Sequence, residues 1–187
     1  MTEFSYQNQI LHCEKLALSE IAKEFGTPSY VYSRQAISDA YLSYDQAFGD
    51  WPHQICYAVK ANSNIAVLNV LAKLGAGFDI VSIGELKRVI SAGGDPSKSI
   101  FSGVGKLDEE IQQALELGIG CFNVESEAEL HRIADIAQLL EKPAPISLRV
   151  NPDVDPQTHP YISTGLQENK FGIPMEDAPR LYAFAQQ

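Results

Sequence analysis

A lysine stands at residue 60, where the pattern changes from strand to helix. Residues 54–59 form a short, mostly apolar run with aromatic and β-branched members, which predicts a buried strand. Asn62 and Asn64 then offer capping side chains, and residues 65–74 have the spacing of a helix. In barrels and open α/β sheets, chemistry is placed at that end of the strand. An amine held there, partly withdrawn from water, binds its proton less tightly and can attack a carbonyl carbon. A lysine that merely reaches from a strand end into solvent is the competing reading.

Polar residues recur at the ends of later apolar runs: Asp79 and Ser82, Ser102 and Gly103, Asn123 and Glu125, Arg149 and Asn151. In a parallel array those ends share one rim with Lys60 and Asn62. Asp79 lies inside its run, where an acid costs stability unless it is paired. Glu85 and Glu129 follow Ser82 and Ser126 by three residues, so each has a helix-capping role open to it. Gly103-Val104-Gly105-Lys106 reads as a turn, with phosphate binding as the alternative. No Gly-x-Gly-x-x-Gly follows the first strand, which argues against a dinucleotide site. His159 lies in a loop, where a histidine is solvated or catalytic.

The elements that would position these residues repeat. Strand-like runs begin near Gln54, Ala76, Ser99, Gly120 and Pro145, spaced by 21 to 25 residues. Each interval holds one helical stripe: Ile65, Leu68 and Leu71; Leu86, Val89 and Ile90; Ile111, Ala114 and Leu115; Ile133, Ile136, Ala137 and Leu140. Gly75, Gly93 and Gly118 fall where those helices should stop. This is the βα rhythm of a parallel sheet, open or closed. Ahead of it, residues 1–53 read as a lead-in of helix, strand and helix: Leu18, Ile21, Ala22 and Phe25 share a face, residues 30–32 look extended, and Ile37, Tyr41, Tyr44 and Phe48 mark the second helix. Residues 54–187 hold the βα array. Residues 151–172 break the period with Pro152, Pro156, Pro160, Gly165 and Gly172, as a functional or disordered loop does.

Composition narrows the partners. The chain has 187 residues, 45% of them hydrophobic, enough for a sizeable core. A net charge of −10 with no run of Lys and Arg argues against nucleic acid and anionic membrane. No stretch reaches the ~20 apolar residues of a membrane span. The first nine residues lack the basic and apolar regions of a secretory leader. The three cysteines, Cys13, Cys56 and Cys121, have no zinc spacing and suit a reducing compartment. A cytoplasmic protein without a metal is expected.

Six ordered motifs, taken together, resemble a known family. They are Tyr57-Ala58-Val59-Lys60-Ala61-Asn62; Gly77-Phe78-Asp79-Ile80-Val81-Ser82 with Gly84-Glu85-Leu86; Phe101-Ser102-Gly103-Val104-Gly105-Lys106; Phe122-Asn123-Val124-Glu125-Ser126; Arg149-Val150-Asn151-Pro152; and His159-Pro160-Tyr161-Ile162-Ser163-Thr164-Gly165 with Lys170-Phe171-Gly172. This set looks like the diaminopimelate decarboxylase family, pyridoxal-phosphate enzymes of the alanine-racemase-like barrel class. The lead-in Phe25-Gly26-Thr27-Pro28 fits the same family.

The resemblance implies an α/β fold, a (β/α)8 TIM-type barrel with a β-rich C-terminal domain. Only about five βα units of the barrel are expected here. It implies pyridoxal 5'-phosphate as cofactor, a Schiff base on Lys60, and Asp79, Glu85 and Arg149 near the cofactor. His159, Tyr161, Ile162, Ser163 and Lys170 would belong to a lid that excludes water and meets the amino-acid substrate. The reaction implied is loss of CO2 from meso-2,6-diaminopimelate to give L-lysine, in a homodimer. The family's ring-stacking histidine, glycine-rich phosphate loop, pyridine-facing glutamate and C-terminal domain have no counterpart in the 187 residues. The chain is therefore expected to be an N-terminal part or truncated product, with little turnover alone. Three readings stay open beside it: a relative acting on ornithine, arginine or carboxynorspermidine, a non-catalytic half-barrel binding protein, and a small single-domain pyridoxal-phosphate carrier.

Overall fold

The computed structural model describes residues 3–151 and 172–186. The chain opens on an antiparallel meander, β1 (Phe4–Gln7), β2 (Ile10–Cys13) and β3 (Leu16–Ala17). Asn8 and Gln9, both at positive φ, make the two-residue turn whose hand matches strand twist. The sequence reading expected no strands here, because Asn-Gln lacks the glycine that usually marks such a turn. Helix α1 (Leu18–Phe25) follows and stops at Gly26, φ 82°.

The strand expected over residues 30–32 does not form. Among the described residues that stretch has no neighbouring strand to pair with, and Tyr30 is 92% exposed. Ser33 then caps α2 (Arg34–Phe48), accepting from Ala36 N at 3.0 Å. Its hydroxyl donates to Glu14, which also accepts from Gln35 N. Those two bonds, the backbone one foremost, hold the Glu14 carboxyl below the usual carboxylate range and tie the meander to α2.

The βα array is as regular as its spacing. β4 (Cys56–Ala58), α3 (Ile65–Lys73), β5 (Gly77–Ile80), α4 (Ile83–Ser91), β6 (Ser99–Phe101), α5 (Asp108–Glu116), β7 (Cys121–Val124), α6 (Glu127–Leu139) and β8 (Ile146–Leu148) alternate in order. The five strands form one sheet in sequence order, every pair parallel. Past Arg149 the last strand continues as β9 (Val150–Asn151), which pairs in parallel with β10 (Ile173–Pro174) ahead of α7 (Ala178–Ala185). The strands β4 to β8 and the helices α3 to α7 thus make the five βα units expected, with β10 as a short addition ahead of the last helix. Helix α2, placed with the lead-in by the sequence reading, packs against α3, and its Ile37 and Tyr41 meet the core.

The two faces of the sheet differ. Phe78, Ile80, Phe101, Phe122 and Val124 are fully buried beneath Leu68, Leu86, Val89, Ile111, Leu130 and Ile133 of the helices. Each such side chain contributes about 1.5–3 kcal/mol on burial. The alternate positions Cys56, Ala58, Asp79, Ile100, Cys121, Asn123 and Ser147 are only half-buried on the opposite face. Parallel sheets are normally covered on both faces; among the described residues, helices cover one.

Candidate active site

Lys60, Asp79, Ser102, Asn123, Glu125, Ser147 and Arg149 line one cleft of about 360 Å³ at the C-terminal ends of the strands. β4 stops at Ala58, and residues Val59–Ala61 turn through one 3-10 turn. Val59 is fully buried and fixes that turn, which leaves Lys60 exposed on its other side. Asn62 completes it: its Oδ1 accepts from Asn64 N, and its carbonyl accepts from the Tyr57 hydroxyl at 3.3 Å. Burial, and then the neighbouring Tyr32, pushes the Tyr57 phenol up. Asn64 in turn caps α3 through Ala66 N. Among the described residues the Lys60 amine has no hydrogen bond or ion pair.

Asp79 faces the cleft between the buried Phe78 and Ile80. It is paired as an acid in a strand should be: its Oδ1 accepts from the Ser102 hydroxyl at 2.5 Å. Ser102 Oγ accepts in turn from Asn123 Nδ2 at 2.9 Å. On the far wall Arg149 Nη1 donates to both Glu125 oxygens, at 3.1 and 2.8 Å. Glu125 is 7% exposed and also accepts from Gly103 N.

The structure thus brings Lys60, Asp79 and Arg149 together. Glu85 is not among the cleft's lining residues. It caps α4: Ser82 Oγ accepts from Glu85 N, and Glu85 Oε2 accepts from Val81 N at 2.7 Å. Glu129 has the same position on α6, with Ser126 as cap and Glu125 N as donor. His159, Tyr161, Ile162, Ser163 and Lys170 lie outside the described residues.

The phosphate alternative for Gly103-Val104-Gly105-Lys106 fails on the direction of its lysine. Lys106 is 3% exposed and turned inward. Its ammonium donates to Gly103 O, Asn123 O and Glu129 Oε1, at 2.7, 2.8 and 2.5 Å. An ammonium has three protons, so none is left for a ligand. Ser147 is the cleft residue that the sequence reading missed. Its signal was its place two residues before Arg149 in an alternating strand.

Residues 34–187 match the family described as pyridoxal-dependent decarboxylase, pyridoxal binding domain. The chain belongs to this family. Its sheet is accordingly part of a (β/α)8 barrel, and the cofactor of the family is pyridoxal phosphate. The chain is 60% identical, over 99% of its length, to a diaminopimelate decarboxylase of Pseudomonas aeruginosa, of which it covers 45%. A crystal structure of diaminopimelate decarboxylase from Helicobacter pylori (I148L mutant) complexed with L-lysine is 48% identical, with a TM-score of 0.87, over 91% of this chain and 43% of that one. The enzyme from M. jannaschii, also with L-lysine, has a TM-score of 0.90 at 38% identity, over 98% and 44% of the two chains. The chain thus spans less than half the length of these relatives.

The cleft fits the aldehyde end of such a cofactor. It offers a primary amine without a partner among the described residues, a carboxylate lining the same cleft, and hydroxyl and amide groups already committed to one another. Among the described residues no group of three or more His, Cys, Asp or Glu could hold a metal ion, and no helix is long and apolar enough to cross a membrane.

Proposed function

We propose that this chain carries the cofactor-binding lysine of a pyridoxal-phosphate-dependent decarboxylase that converts meso-2,6-diaminopimelate to L-lysine and CO2. The observation that supports it best is the Lys60 amine, without a partner among the described residues, in a cleft with Asp79 and Arg149 at the strand ends of a pyridoxal-binding domain. When bound, pyridoxal phosphate supplies an electron sink for the carbanion left by CO2.

The residues of this chain have separate tasks in that reading. Lys60 Nζ is the primary amine that would hold the cofactor, at the place the substrate amine would also use. Asp79 places a negative charge on one wall and Arg149 a positive one on the other. Glu85 holds the start of α4, which keeps the end of β5 and so Asp79 in place. His159, Tyr161, Ile162, Ser163 and Lys170 are read as residues that meet the amino-acid substrate.

The complete enzyme is read as a homodimer, and as cytoplasmic, the latter in keeping with an acidic chain and three free cysteines. The high identity to diaminopimelate decarboxylases favours this substrate over ornithine, arginine or carboxynorspermidine. The test is growth of a bacterium lacking diaminopimelate decarboxylase, supplied with the whole natural gene that includes the coding sequence of these 187 residues. Growth without lysine, abolished by Lys60→Ala, is expected. No growth, with ornithine or arginine decarboxylated by the purified product instead, would overturn the assignment.

A further inference from the structure

Asp79, Ser102 and Asn123 come from neighbouring strands, on β5, just past β6 and on β7. The backbone fixes their level. Ser102 N donates to Ile80 O at 2.8 Å, so the residue stays pinned to β5 whatever its side chain does. Asn123 pairs in register with Ser147 of β8, which continues the polar row across the inner face.

The chemistry of the three groups fixes the direction of their hydrogen bonds. An ionised carboxylate only accepts, and an amide NH2 only donates. Ser102 has one hydroxyl proton and sends it to Asp79 Oδ1. The Ser102 oxygen then offers only lone pairs to Asn123, so a donor must stand there, and Asn123 Nδ2 is in place at 2.9 Å. A reversed amide would set two acceptors in competition for one proton. The bonds therefore run one way, Asn123 to Ser102 to Asp79.

The charges that face Asp79 across the cleft are Lys60 after β4, Glu125 after β7 and Arg149 after β8. Arg149 and Glu125 engage each other. Asp79 Oδ2 has no hydrogen bond among the described residues. We propose that Asn123 and Ser102 are positioning residues: their one-way relay fixes the orientation of the Asp79 carboxylate through one oxygen and leaves its second oxygen for the amine of Lys60. This rests on the reading of Asp79 as a residue of the cofactor side.

The relay predicts that Asn123 senses the charge state of Asp79 through Ser102 alone. The measurement is the side-chain amide NMR signal of Asn123 in the 187-residue chain without cofactor. Asp79→Asn, which replaces the charged acceptor by a neutral one of the same shape, should move that signal. In a Ser102→Ala background the same change should leave it in place, and Ser102→Thr, which keeps the hydroxyl, should restore the response. Equal responses with and without the hydroxyl would overturn the relay. Should Ser102→Ala not fold, the Ser102 hydroxyl proton of the unaltered chain serves: slow exchange with solvent, made faster by Asp79→Asn, supports the relay, and fast exchange in both overturns it. Because no cofactor is present, a relay that holds while Lys60 fails to support growth would defeat only the function proposed above.

Discussion

Lys60 and Lys106 both follow strands of the same sheet at the same rim, and they have opposite fates. Lys60 is exposed on a turn held by its buried neighbour Val59, and among the described residues its amine has no partner. Lys106 lies five residues past the end of its strand where Lys60 lies two, enough chain for its side chain to fold back beneath the loops. There it meets two carbonyls and the Glu129 carboxylate. A desolvated ammonium with all its protons engaged cannot serve as a nucleophile, but it can join loops. Lys106 connects the segment after β6 with the end of β7 and the first turn of α6. The difference shows that residue type and rim position do not select a reactive lysine. What selects it is whether acceptors surround the amine.

The comparison is broken most severely at Lys106. Lys106→Met leaves Glu129 buried without its cation, and should destabilise the chain by about 3–5 kcal/mol in urea unfolding. Adding Glu129→Leu to it should recover part of that loss, since an apolar pair needs no compensation. A smaller effect separates the twin caps. Glu85→Ala should lose only capping, about 1 kcal/mol, whereas Glu129→Ala should approach the Lys106→Met value.

Lys60→Ala should change stability by no more than about 0.5 kcal/mol. It should nevertheless abolish covalent capture of pyridoxal phosphate at that site. Loss of several kcal/mol would mean that Lys60 is a structural lysine like Lys106.

The smallest effect belongs to an exposed pair. Arg180 on α7 donates to both carboxylate oxygens of Glu127, at 2.6 and 2.9 Å, and holds that carboxyl below the usual range. A depressed carboxylate contributes stability above its unfolded pKa and loses it as pH falls through the lower folded value. The acid limb of unfolding should therefore flatten slightly in Glu127→Gln, with an effect that salt removes. An effect of Glu127→Gln as large as that of Lys106→Met would contradict the contrast between exposed and buried pairs.

Much of this was legible in the residues. The βα array was, because each strand buries alternate large apolar residues and each helix carries one stripe. The place of Lys60 at a strand end was, because an apolar run followed by capping asparagines marks the change from strand to helix. The meander was not, since its turn lacks glycine. Nor was β10, whose two residues include a proline and carry no period. The inward turn of Lys106 was beyond the sequence because its distant acceptors, Asn123 O and Glu129, lie 17 and 23 residues away. Glu85 and Glu129 share one local pattern, and only the third dimension shows that one of them meets a lysine.

The central claim is that one lysine of this rim is available for chemistry and the other is not. The direct measurement is borohydride reduction of the chain with pyridoxal phosphate, followed by peptide mass mapping. The account predicts a pyridoxyl adduct on Lys60 and none on Lys106. Adducts on Lys106, or on other lysines while Lys60 stays bare, would contradict it.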